Sequence, residues 1–169
     1  MIKTTIIDKN CIYGQGVEIL KWNSKDADVY SQSKEYVDTA VVPLIAISTG
    51  DQFKSIVSKG ECTELIASEL ERQLKGRVFL FPPFSYIKND NQVIESLKKW
   101  KNEIGETFHH VIFLTTEEEW KQRETEVKDD VICIPNIPLE HMDESLKKKL
   151  VQDQIEQILN ILLQYWNKS

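Results

Sequence analysis

The feature that most constrains this chain is an apolar run at residues 41–47, in which six apolar side chains surround one proline. A run of this length, rich in valine and isoleucine, indicates a strand that is buried on both faces. The run ends in a small polar turn that contains a glycine. Because open α/β sheets bind ligands beyond the carboxyl ends of their strands, this turn is the first place to look for a site.

Three further apolar runs follow, separated by segments with helical periodicity. These runs are residues 78–81, 111–114 and 131–134. The clearest helix is predicted over residues 61–75, where apolar residues recur with a period of 3.6. This alternation predicts a single three-layer α/β/α domain with a mainly parallel central sheet of four or five strands, flavodoxin-like in general architecture. A length of 169 residues fits one such domain.

Glycine and proline residues set the predicted breaks between elements. Gly60 is expected to end a short helical turn, so that residues 61–75 form a separate helix. Pro82 and Pro83 lack backbone N–H donors, and we therefore expect the strand at residues 78–81 to end there. Residues 84–91 are then predicted to form a loop.

The last helix is predicted over residues 142–166 and carries a wide apolar stripe. Its members include Leu146, Leu150, Ile155, Ile158, Leu159, Ile161, Leu162, Leu163 and Trp166. A stripe of this width either packs deep against the sheet or meets another molecule. A homo-oligomer or a protein partner bound through this helix is therefore a hypothesis.

Charge and composition narrow the classes of function. The net charge is −6, from 21 basic and 27 acidic residues, which disfavours nucleic-acid binding. No apolar window reaches the length of a transmembrane helix, and we find no pattern of a signal peptide. Three cysteines without a C-x-x-C pair argue against a disulfide framework. We therefore expect a cytoplasmic protein without membrane insertion.

Residues 1–20 are interpreted as an N-terminal extension, and residues 21–169 as the single α/β domain. A short edge strand at residues 4–7 is one interpretation of the extension. The other is that translation begins later: Gly16-Val17-Glu18 can be encoded by a purine-rich stretch that resembles a ribosome-binding site, and Leu20 by a TTG start codon.

Polar residues follow each predicted strand, and they define the candidate ligand-binding crevice. The crevice residues are Ser48, Thr49, Gly50, Asp51, Gln52, Ser85, Tyr86, Thr115 and Asn136. One interpretation is that they are ordinary caps and turns, because these residue types are common in βα loops. The other is a ligand site, in which the turn around Gly50 offers backbone N–H groups to an anion.

No motif in the chain fixes a chemistry. The glycine-rich phosphate-binding patterns are absent. His109 and His110 lie at the start of a predicted strand, opposite the crevice, and adjacent strand residues point to opposite faces. We predict no catalytic residue, no metal site and no cofactor. A protein that binds a partner or a small ligand is favoured over an enzyme.

Residues 21–44 (KWNSKDADVYSQSKEYVDTAVVPL) and 77–86 (RVFLFPPFSY) resemble the YpiF-like family of uncharacterised Bacillus proteins. The resemblance extends over residues 20–169. It implies a domain of unknown function and brings no established activity with it.

A more distant likeness is to the creatininase-type amidohydrolases. It consists of a strand, the Ser48–Gln52 turn, the step at Gly60-Glu61-Cys62 and the Pro82-Pro83…Tyr86 segment. Phe53 and Cys62 stand where that family has metal ligands, so the likeness implies a creatininase-like general architecture without the metal site. The alternative function is therefore a degenerate or divergent amidohydrolase acting on a small amide, with or without a metal.

Overall fold

The computed structural model describes residues 20–123 and 125–168. Its helices are α1 (Ser24–Gln32), α2 (Phe53–Gln73), α3 (Val93–Gly105) and α4 (Glu144–Asn167). Its strands are β1 (Thr39–Ile47), β2 (Val78–Leu80), β3 (Phe84–Ile87), β4 (His110–Thr115) and β5 (Val131–Cys133). Apart from Leu20, the predicted N-terminal extension and its short strand lie outside the described residues, as does Cys11.

The sheet has the order β2-β1-β4-β5, with β3 beside the second half of β1. Every pairing between its strands is parallel. The chain first moves from β1 to β2 and β3, then crosses back to place β4 on the other side of β1. A topological switch point therefore lies between β1 and β4, where doubly wound folds bind ligands.

Each face of the sheet carries its own hydrophobic core. The core shared with α1 and α3 is rich in aromatic residues, and includes Phe79, Phe81, Phe84, Phe108, Phe113 and Trp120. The core shared with α2 and α4 is aliphatic, and includes Ile66, Leu70, Ile112, Leu114, Ile155 and Ile158. Helices thus cover both faces of a parallel sheet, which confirms the predicted three-layer α/β/α class.

Pro43 lies in the middle of the central strand, a position that proline normally avoids. Three backbone hydrogen bonds show which residues of β1 face its β2–β3 side. They are Thr39 N to Arg77 O, Phe81 N to Val41 O and Lys88 N to Ile47 O. Because strand residues alternate, Pro43 faces the same side, opposite Pro82 and Pro83. The prolines of both chain segments therefore share one gap in the ladder, and that gap separates β2 from β3.

The predicted helix break at Gly60 is wrong. Gly60 lies inside α2, which runs without interruption from Phe53 to Gln73. A Cβ atom on Gly60 would lie 3.2 Å from Cγ2 of Ile45. Glycine at this position lets the helix approach the central strand, so here its small size serves packing instead of chain termination.

The predicted loop at residues 84–91 is also partly wrong, because Phe84–Ile87 forms strand β3. β1 continues for several residues beyond its pairing with β2, and its backbone groups there need partners. β3 supplies them through the register Leu44 to Phe84 and Ile47 to Ile87. The diproline interrupts this edge of the sheet instead of ending it.

Helix α4 confirms the predicted C-terminal helix and uses most of its apolar stripe inside the protein. Val151, Ile155, Ile158 and Leu162 are buried. Leu146, Ile161 and Leu163 remain exposed. Deep packing therefore accounts for the inner part of the stripe, while partner binding through this helix stays a prediction. No helix in the described residues has the length and apolar character needed to cross a membrane.

Glu71, near the end of α2, is a fully buried carboxylate. Its Oε1 accepts a hydrogen bond from the Leu20 backbone N–H at 2.6 Å. Its Oε2 is buried and has no partner among the described residues. Burial raises the pKa of Glu71, against smaller opposing effects of the Leu20 N–H and of the Lys21 and Lys75 ammonium groups. The folded protein therefore binds a proton at Glu71 more tightly than the unfolded chain does.

We expect Glu71→Gln to raise the free energy of unfolding at pH 7 by about 1–2 kcal/mol, because the amide keeps an acceptor for Leu20 and removes a buried charge. Because the pKa of Glu71 is higher in the folded protein than in the unfolded chain, protonation of Glu71 stabilises the fold. This stabilisation is complete below the unfolded-state pKa of about 4.3 and is lost as the pH rises through the folded-state pKa. Urea unfolding between pH 4 and 8 should therefore show curves for wild type and variant that converge at the acidic end.

Glu69→Gln is the matched control on the same helix. The Arg72 guanidinium bonded to Glu69 lowers the pKa of the Glu69 carboxyl, whereas burial raises the pKa of Glu71. Its replacement should not stabilise the protein. A Glu71→Gln variant that is less stable than wild type at pH 7 would contradict the prediction.

Candidate functional site

The turn from Ser48 to Gln52 joins β1 to α2 at the carboxyl edge of the sheet, as the sequence predicts for a crevice. Ser48 is half-buried, and the other four residues are exposed. The Phe53 N–H closes the turn with a hydrogen bond to the Gly50 carbonyl, at 2.9 Å. The Gln52 side chain makes no capping bond to the helix that follows. The turn therefore leaves the amino end of α2 accessible beside the topological switch point.

Ser85 and Tyr86 lie on opposite faces of β3. Ser85 is exposed on the face that carries α2, whereas Tyr86 is buried on the α3 side. The Tyr86 hydroxyl accepts a bond from Trp120 Nε1 at 2.9 Å and donates to Glu119 Oε1 at 3.2 Å. Burial raises the pKa of Tyr86 far above its ordinary value. Tyr86 is thus a core residue whose hydroxyl already has its partners.

Thr115 and Asn136 occupy different surroundings. Thr115 is buried at the end of β4, and its Oγ1 accepts a bond from the Glu117 N–H at 3.1 Å. It therefore shapes the chain that leads to Glu117. Asn136 is exposed beyond β5, two strands away from β1. The structure thus brings the ends of β1, β3 and β4 together and leaves Asn136 apart.

The strongest arrangement of charge at this edge is formed by Lys59, Glu117 and Lys88. The Glu117 side chain is 5 % exposed, and its Oε2 lies 3.2 Å from Lys59 Nζ and 3.5 Å from Lys88 Nζ. Its Oε1 is buried without a partner among the described residues. The two lysine side chains remain 25 % and 23 % exposed. Two ammonium groups share one carboxylate oxygen, which leaves one positive charge in excess.

Two threonine hydroxyls hold α2 against the end of β4. Thr63 Oγ1 and Thr116 Oγ1 each lie 2.9 Å from the Lys59 carbonyl oxygen. The two hydroxyls are 3.1 Å apart, and both residues are buried. The backbone of Lys59 is therefore fixed relative to β4, and its side chain reaches Glu117 from a rigid support.

Cys133 closes the site from the side of β5. Its Sγ donates a hydrogen bond to the Glu117 carbonyl at 3.2 Å. Burial raises the pKa of the Cys133 thiol, so the thiolate form is disfavoured. Cys133 acts here as a small packing residue with a weak hydrogen bond.

Sequence patterns do not single out Lys59, Thr63 or Lys88. A helix that stops at Gly60 separates Lys59 from Thr63, whereas in α2 they lie one turn apart on one face. A loop after residue 83 leaves Lys88 without a fixed position, whereas β3 places it at a strand end. The sequence signal that could have found part of this site is the i, i+4 spacing of Lys59 and Thr63. It places both residues on one helix face if the helix continues past Gly60.

Two of the three histidines lie away from this site. His109 and His110 are at the amino end of β4, on the opposite edge of the sheet from the crevice. His141 is exposed, with its Nε2 3.4 Å from Glu140 Oε1. Within residues 20–123 and 125–168, no three His, Cys, Asp or Glu side chains cluster in a way that could hold a metal ion.

Comparison with known proteins places the chain among uncharacterised relatives. It is 43% identical to the uncharacterised protein YpiF of Bacillus subtilis strain 168 over 148 residues, which cover 88% of this chain and 99% of that protein. No solved structure matches, and the creatininase-type likeness gains no support. Residues 28–166 match the family described as "Protein of unknown function (DUF2487)". The resemblance expected from residues 21–44 and 77–86 is thereby confirmed, and the chain belongs to this DUF2487 family.

Proposed function

We propose that this protein binds a small anionic ligand in the crevice beyond the carboxyl ends of β1, β3 and β4, without catalysing a reaction on it. The observation that carries the proposal is the convergence of Lys59 and Lys88 on a single oxygen of Glu117. Their excess positive charge lies at the topological switch point, where doubly wound sheets hold ligands. A carboxylate or phosphate group is the partner that two ammonium groups favour.

Two further features define the ligand. The buried Glu117 Oε1 is an acceptor without a partner among the described residues, so a ligand with a hydroxyl or amine next to its anionic group satisfies it. The start of α2 lies beside Ser48, six residues before Lys59, and the dipole of this 21-residue helix adds a potential that favours negative charge at this edge of the sheet. A small hydroxy acid, amino acid or phosphate ester combines these properties.

Binding is favoured over catalysis because Cys133 and Tyr86, two potential nucleophiles near the site, are not activated. Burial raises the pKa of Cys133 and of Tyr86, and both side chains already have hydrogen-bond partners. His109 and His110 lie at the opposite edge of the sheet, and His141 lies next to Glu140, the ion-pair partner of Lys54. An activated nucleophile needs a base within hydrogen-bond reach.

Lys59→Gln and Lys88→Gln are each expected to weaken binding of a small anion about tenfold, because a charge-assisted hydrogen bond contributes roughly 1.5–3 kcal/mol. Isothermal titration calorimetry with inorganic phosphate, lactate and propionate measures this. Lactate should bind more tightly than propionate, which has the same carboxylate but no hydroxyl for Glu117 Oε1.

Lys54→Gln is the matched control, since Lys54 lies on the same helix with its side chain 81 % exposed and paired with Glu140. It removes the same charge and should leave affinity within about twofold. The proposal fails if phosphate and both carboxylates show no binding at millimolar concentration. It also fails if the lysine variants of the site bind as wild type does.

A further inference from the structure

Four of the exposed large apolar side chains in the described residues gather in one place. Phe53 and Val57 lie one turn apart on α2, and their side chains are 54 % and 51 % exposed. Ile47 and Ile87 are register partners on β1 and β3, and are 41 % and 64 % exposed. We call these four residues the apolar groove. An apolar surface concentrated in this way is typical of an interaction site.

The groove exists because α2 does not cover the outer part of the sheet. Leu44, Ala46, Phe84 and Tyr86 point to the opposite face and are buried there. The alternate residues Ile47, Ser85 and Ile87 point to the α2 side, where they remain exposed. The result is a channel of about 420 Å³ along α2, with Ile45 and Ile47 on its floor and Phe53 and Val57 on its wall. Ile87 extends this surface beside Ile47, its register partner.

Acidic side chains form the rim of the groove. Glu61 and Glu64 line it and are exposed. Neither forms an ion pair with a described residue. Lys59 and Lys88, in contrast, point toward Glu117 and do not line the groove. The surface therefore combines an apolar floor with uncompensated negative charge along one side.

We infer that the apolar groove binds an amphipathic helix of a partner protein whose polar flank is basic. A helix fits because the open position beside α2 continues the layer of helices, and a stripe with i, i+3, i+4, i+7 spacing matches the isoleucine floor. Basic flanking residues fit because they compensate Glu61 and Glu64. This inference goes beyond the proposed small-ligand site and does not rest on it.

The test uses the full chain and a 14-residue synthetic peptide of leucine and lysine, with the leucines at i, i+3, i+4, i+7 and i+11. Fluorescence anisotropy should show saturable 1:1 binding, with NMR shifts at Ile47, Val57 and Ile87. Val57→Asp should weaken binding at least about tenfold, because it places a charge in the apolar contact. Val57 is exposed, so thermal unfolding should show that the fold is kept.

The charge of the rim is tested separately. Glu61→Lys with Glu64→Lys should weaken binding of the leucine–lysine peptide about tenfold and favour a leucine–glutamate peptide of the same pattern. The control, Glu103→Lys with Glu106→Lys at the carboxyl end of α3, makes the same change in net charge and should alter affinity about twofold at most. Equal weakening by both pairs would overturn the inference.

Two other results would also overturn it. The first is a dimer in sedimentation equilibrium that Val57→Asp dissociates, since the occupant would then be a second copy of this chain. The second is equal affinity for leucine–lysine peptides with helical and with scrambled leucine spacing. Lys59→Gln should not affect peptide binding, which keeps this test independent of the small-ligand site.

Discussion

Phe113→Ala is expected to lower the free energy of unfolding by about 3–5 kcal/mol, the cost of removing a large side chain from a rigid core. Phe113 is fully buried in β4, and its strand partners are Val42 of β1 and Val131 of β5. Because neighbouring strands hold the backbone on both sides of Phe113, the surrounding residues cannot easily move in to fill the cavity that the alanine leaves. Urea unfolding followed by circular dichroism measures the loss.

Leu163→Ala is the control for this variant. Leu163 is an apolar residue of α4 with its side chain 48 % exposed, and its truncation should change stability by about 0.5 kcal/mol or less. A loss below about 1.5 kcal/mol for Phe113→Ala would mean that β4 is not held as the structure describes.

Glu117→Ala is expected to lower the free energy of unfolding by about 2–3 kcal/mol. Removing one partner of a buried charge network leaves the other charges uncompensated, which costs about 3–5 kcal/mol when they are fully buried. Lys59 and Lys88 retain about a quarter of their side-chain exposure, and this solvation reduces the cost. Because Glu117 links α2 and β3 to the end of β4, the loss should be larger than for any surface pair.

Glu140→Ala provides the comparison, since the ion pair of Glu140 with Lys54 is exposed on both sides. Its expected loss is about 0–1 kcal/mol. Adding Lys88→Met to Glu117→Ala should recover part of the lost stability, because it removes one of the two unpaired ammonium groups. The prediction is wrong if Glu117→Ala and Glu140→Ala have equal effects in urea unfolding.

The two candidate sites lie close together on the same edge but depend on different interactions. The small-ligand crevice depends on charge, so its affinity should fall steeply with ionic strength. The apolar groove depends mainly on burial of nonpolar surface, and salt should affect it only through Glu61 and Glu64. A salt titration therefore distinguishes ligands of the two sites in the wild-type protein.

The sequence by itself determined the class of fold and the edge of the sheet on which to look. The apolar run at residues 41–47 is a local signal, and it is confirmed as the central strand β1. The parallel α/β/α arrangement follows from the alternation of buried strands with amphipathic helices, which is also written locally along the chain. The helix at α4 was predictable for the same reason, because its stripe repeats every 3.6 residues.

Tertiary structure alone decided what that edge contains. Gly60 continues a helix because Ile45 packs against it, and β3 forms because β1 offers an open edge. Lys59 and Lys88 meet Glu117 across 58 and 29 residues of sequence. Local sequence patterns determine the periodicity of each segment but not the distances between segments. Both the charge network and the apolar groove are formed by residues from separate segments, so only the tertiary structure shows them.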